Sequence, residues 1–196
     1  MIPVRYRYRQ MGASLIEVLV AVLLLSFGML ALGSMMAFGV QSPKLSAYRA
    51  TAANLAAGHV ERIRANPGGF GNPSGTNTDS YTMNMSYDGN FYDATTDLPA
   101  LVNCAYPACT ESTLATMDKA ATNRAVRIEL PAGGMVMKCD TSPCTRASYG
   151  NLWILWQEPS TVAVLGASSD NCPTAETGWS ALNPKPRCLY VRFKIE

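Results

Sequence analysis

The stretch GASLIEVLVAVLLLSFGMLALGSMMAFGV, residues 12–40, decides how this chain is organised. From Val18 to Val40 it runs 23 residues without a charge. As a helix those residues span about 35 Å, against about 30 Å for the hydrocarbon core of a bilayer. Arg5, Arg7 and Arg9 precede it with no acid among them. Basic residues on the N-terminal flank predict that this end stays in the cytoplasm and that everything after Val40 lies on the far side. The apolar run is too long for an ordinary secretory signal, whose apolar region is about 7–15 residues and is followed by a small-residue cleavage site. A plain uncleaved anchor, or an oversized signal cut near Gly33 or Gly39, remains open on length and flank alone. Glu17 is the discordant residue: a carboxylate near the centre of a span costs about 2.5–3.5 kcal/mol on insertion scales, and less near the interface, where this one stands.

The rest of the composition fits one anchored domain. With 196 residues there is room for a single core and an appendage. The formal charge is +2 and only 15% of residues are charged. Of sixteen Lys and Arg, three precede Gly12, which leaves thirteen against fourteen acids, formally −1. That balance argues against a strong nucleic-acid footprint. All six cysteines (Cys104, Cys109, Cys139, Cys144, Cys172, Cys188) lie in the distal half, an even set suited to an oxidising compartment. Cys104/Cys109 and Cys139/Cys144 share a spacing, and Cys172 pairs most simply with Cys188. Fifteen connectivities are open, so local pairing is a preference. A zinc site would need closer cysteine spacing or histidine partners, and neither is present, so no metal and no cofactor are expected. No catalytic motif is found, and a Ser-His-Asp set would have to use His59, the single histidine. His59 reads as a packed or surface side chain, with metal binding or pH sensing as the alternative.

At the N-terminus the residues carry a resemblance. Gly12 followed by ASLIEVLVAVLLLSFGML resembles the class III signal of type IV pilins, in which a short basic leader ends in glycine and a polar residue, two aliphatics and a glutamate precede a long apolar helix. The resemblance implies cleavage by prepilin peptidase between Gly12 and Ala13 and N-methylation of the new terminus. Ala13 stands where major pilins commonly have phenylalanine, a position that varies in minor pilins. It also implies assembly roles for Ser14 and Glu17. After cleavage Glu17 lies four residues from the Ala13 amine, and in a filament a neighbouring subunit's amine is its natural partner. An unpaired buried carboxylate is costly, so the pair would set the axial stagger of packed helices.

Further along, TAANLAAGHVERIRANPGGF and CAYPACTESTLATMDKAATNRAVRIELPAGGMVMKC resemble the PilV type of minor pilin. The Cys172–Cys188 region and the lack of a tryptophan in the helix after Asp118 depart from that type. The resemblance implies a structural subunit that helps prime pilus biogenesis and supports twitching motility, adhesion or DNA uptake. Its partners would be other minor pilins and the major pilin through the spine helix, prepilin peptidase, and the inner membrane before assembly. It would start as a single-pass inner-membrane protein with a periplasmic head and end in the pilus at the cell surface. A minor pseudopilin of a type II secretion system shares leader and spine, and a membrane-anchored periplasmic enzyme is the third reading.

The expected fold is α+β, a type IV pilin fold with a long N-terminal spine helix packed on a small antiparallel β-sheet, an extra helix and disulfide-stapled loops. Residues 1–12 would be the cleaved leader, 13–40 the membrane and assembly half of the spine, 41–66 its amphipathic half, and 67–196 the head. Pro43 predicts a kink or pause. Leu45, Tyr48, Ala52, Leu55 and Ile63 mark one apolar face, and Asn66-Pro67-Gly68-Gly69 should stop the helix. Residues 70–78 read as a flexible connector, and Tyr81, Met83, Met85 and Tyr87 as a half-buried strand. Thr110 should cap a helix from Glu111 with Leu114, Met117, Ala121, Ala125 and Ile128 on its apolar face. Strands follow near residues 135–138, 152–157 and 189–195. Dispersed acids, Asp118, Glu158 and Asp170 among them, read as solvated surface, and Arg62, Arg64, Arg187, Arg192 and Lys194 as a candidate basic strip.

Overall fold

The structure, a computed structural model, describes residues 12, 14–71, 79–89, 100–101, 103–105, 107–158, 170–182 and 185–195. The chain divides into two compact units at Lys44/Leu45. Helix α1, Leu15–Ala65, has Pro43 inside it, and that proline does not end it. A proline in a helix interior removes one backbone N–H donor, a loss the remaining ladder has to outweigh.

In the unit that begins at Leu45, α1 buries Ala52, Ala56, Val60 and Ile63, a stripe at helical spacing, in one cluster with the sheet. Tyr48 and Leu55 pack at its margin. The helix stops before Asn66, and Pro67–Phe70 form a short second helix, α2. The expected connector therefore starts later than residue 70. Phe70 is fully buried, its ring centroid 5.8 Å from that of Phe193. A β-carbon on Gly71 would sit 2.7 Å from the Thr145 backbone, which explains a glycine where two chain segments touch. Residues 72–78 lie outside those described.

The sheet has three antiparallel strands in the order β1 (Gly134–Cys139), β2 (Tyr149–Trp156) and β3 (Arg187–Lys194). Met137 stands opposite Leu152, which in turn stands opposite Val191. Alternation gives each face its own core. Met135, Met137, Leu152, Ile154, Trp156, Leu189, Val191 and Phe193 join α1. Val136, Trp153, Leu155 and Cys188 face the other way, toward Tyr87, Trp179, Cys172 and Leu182.

Two expectations fail here. Residues 81–87 do not form a strand: Tyr81 and Met83 join one core cluster, Met85 and Tyr87 the other. Asp79–Tyr81 make a 3-10 turn, and Met83 makes a single bridge to Met137. The pairing ends at Ser86, whose hydroxyl takes the Met135 N–H at 2.8 Å in place of a ladder carbonyl.

Helix α3, Glu111–Glu129, begins as expected, with Thr110 Oγ1 accepting from the Thr113 N–H at 3.1 Å. Its buried residues, however, are Ala115, Asp118, Thr122, Asn123, Val126 and Arg127, and Ile128 is 52% exposed. The buried face is rotated by about one residue from the apolar stripe, because polar side chains on α1 and on residues 81–88 provide partners for polar ones on α3.

Candidate assembly surface

Leu15–Ala37 is long and apolar enough to cross a membrane, and none of it is buried. Leu15, Leu19, Leu23, Phe27 and Leu30 are all more than half exposed. Leu19, Val22, Leu23, Ser26, Phe27 and Leu30 line a shallow recess of about 410 Å³ along one face. Ser26 donates its hydroxyl to Val22 O at 2.7 Å, so this polar group is satisfied within the helix and the face stays apolar. Apolar surface on this scale is unstable in water and has to be covered by lipid or protein.

Glu17 is the one ionisable residue in the span and lies in the first turn of α1. The carbonyl of Ser14 accepts from Glu17 N at 2.9 Å and from Val18 N at 3.2 Å, which starts the helix there. A carboxylate in a first turn is favoured by the helix dipole and by the free N–H groups around it. Gly12 is exposed, with open space where a β-carbon would go. Ala13, the other side of the expected cleavage bond, lies outside the described residues.

The cysteines lie elsewhere, as three local bridges: Cys104–Cys109, Cys139–Cys144 and Cys172–Cys188. The second joins the end of β1 to the loop before β2, and the third ties β3 to the segment covering the sheet's second face. Among the described residues no group of three or more His, Cys, Asp or Glu is placed to hold a metal ion.

Charged residues in the head depart from the solvated picture. Asp118 and Glu158 are buried, and Glu158 Oε2 accepts from Arg187 Nε at 2.9 Å. Asp170 bridges Arg187 Nη1 at 3.3 Å and Arg49 Nη2, on α1, at 3.5 Å. Arg187 is thus a largely enclosed ion-pair centre between two buried acids and not part of an open basic strip. Arg192 does face solvent. It pairs with Asp140 and covers the Tyr149 ring at 4.2 Å. The hydrogen bond from Asn151, with Arg192 beside it, holds the Asp140 carboxyl below the usual range. Sequence spacing carries no signal for the Arg49–Asp170–Arg187 set, whose members are brought together from three separate segments.

Comparison with known proteins finds no match to this chain among family models, curated proteins or solved structures.

Proposed function

We propose that the chain is a type IV pilin-like subunit, most like the PilV type of minor pilin, with no enzymatic activity. It would be held in the inner membrane by the apolar part of α1 with its head in the periplasm, and then be drawn into a pilus where it helps prime assembly. The observation that carries this reading is the wholly exposed apolar span of Leu15–Ala37 with Glu17 as its single ionisable group. A helix that only anchors gains from a first-turn carboxylate no more than the dipole interaction, against a cost of insertion, whereas a helix that must leave lipid and pack beside others also gains a polar pairing point. The leader ending at Gly12 and the helix starting after Ser14 fit processing at Gly12/Ala13. The local disulfides fit an oxidising compartment.

Deletion of the gene tests the reading. Loss of surface pili and twitching, with normal secretion, is the expected result. Intact pili with secreted enzymes trapped in the periplasm would assign the chain to a type II secretion system as a pseudopilin. Neither phenotype, together with substrate turnover by the purified protein, would replace the structural role with an enzymatic one.

A further inference from the structure

Helix α3 is held to the head by a face that is largely polar. Tyr81 donates to Asp118 Oδ2 at 2.7 Å, and Ser86 donates to Asn123 Oδ1 at 2.8 Å. Arg127 donates from both terminal nitrogens to Asp88, at 2.9 and 2.7 Å. His59 Nδ1 lies 2.9 Å from Thr122 Oγ1. An element attached by hydrogen bonds more than by apolar area opens more readily than the core around it, because water replaces each bond that is lost.

Of these four attachments only the last includes a group that ordinarily changes charge near neutrality. His59 is 1% exposed, and its Nε2 has no hydrogen-bond partner. The groups facing it come from every element packed there. Arg62, on α1, donates to the same Thr122 hydroxyl at 3.4 Å. Lys119, on α3, adds a second cation. Tyr81, in the 3-10 turn, sets its ring edge-on at 5.9 Å and engages the acid of the cluster, Asp118. An imidazolium in this position would have an unpartnered N–H, two cations nearby and a carboxylate already taken.

We propose that His59 is an acid-operated latch, whose protonation releases α3 from α1 while the three-stranded sheet stays folded. The sheet has apolar contacts on both faces and a disulfide on each of its two outer strands, none of which depends on α3 alone. Burial above all, then Arg62 and Lys119, pushes the His59 imidazole down to about 4. A lowered value in the closed state means the latch is at full strength above the ordinary value of 6.5 and weakens as pH falls toward 4. Between pH 7 and pH 4.5 the opening equilibrium should rise about fiftyfold. The device is independent of the assembly in which the chain works.

Amide hydrogen exchange on the full chain in detergent micelles, corrected for the chemical exchange rate, tests it. Exchange in α3 should rise about fiftyfold between pH 7 and pH 4.5, with the amides of β1, β2 and β3 unchanged, and His59→Gln should abolish the rise. An equal rise in the variant would overturn the proposal, as would sheet amides opening in step with α3. Should the variant not fold, an NMR titration of the wild-type His59 ring decides: a midpoint near 4 supports the latch, and one near 6.5 overturns it.

Discussion

Glu17 and Gly133 show two ways in which one residue carries consequences far beyond its size. Glu17→Ala removes the charge that hinders insertion, so membrane integration should be unchanged or better. Recovery in sheared surface filaments, read by immunoblot, should fall tenfold or more; equal recovery would remove the pairing role proposed for the carboxylate. At Gly133 a β-carbon would lie 2.0 Å from Val126 O, and Gly133 O also accepts from Arg127. Gly133→Ala should therefore destabilise the head by at least about 2 kcal/mol in urea denaturation, since it is backbone that must move. Of the proposed assembly surface, the exposed apolar span Leu15–Ala37 was legible in the sequence because its signal is local, a charge-free run; the roles of Gly12, Ser14 and Glu17 rest on their spacing before that run. His59 was not, since a lone histidine on a helix carries no information about what will cover it.

Helix α3 shows how far periodicity reaches. Its start was readable from Thr110, whose hydroxyl caps the Thr113 N–H. Thr110→Ala should cost about 1 kcal/mol of stability, with the loss of exchange protection concentrated in the first turn of α3. Its buried face was not readable, because Asp118, Thr122, Asn123 and Arg127 look like solvent positions until Tyr81, His59, Ser86 and Asp88 are seen opposite them. Residues 81–87 mislead for a related reason. The apolar residues do not share one face: Tyr81 and Met83 join the cluster that includes α1 whereas Met85 and Tyr87 join the other, and the Met135 N–H goes to the Ser86 hydroxyl instead of a backbone carbonyl. The strand expected near 189–195 and found at Arg187–Lys194 was legible because Leu189, Val191 and Phe193 alternate in sequence with Tyr190, Arg192 and Lys194 and join one core cluster.

The whole chain divides its labour between an uncovered apolar helix segment and a head whose sheet is covered on both faces. The head's stability should lean on its bridges. Replacing Cys172 and Cys188 together by serine opens a loop with a sequence separation of 16 and should lower the unfolding free energy by about 3 kcal/mol, measured by urea denaturation of the full chain in micelles. Opening either bridge with a separation of 5 should cost about 2 kcal/mol. The three bridges do not interleave: each closes before the next cysteine pair begins. A head that crosses a membrane in chain order behind its anchoring span would therefore expose its thiols already sorted into correct couples. An oxidant meeting them in order of emergence could finish the set without an isomerase, because each couple closes before a wrong partner is in reach.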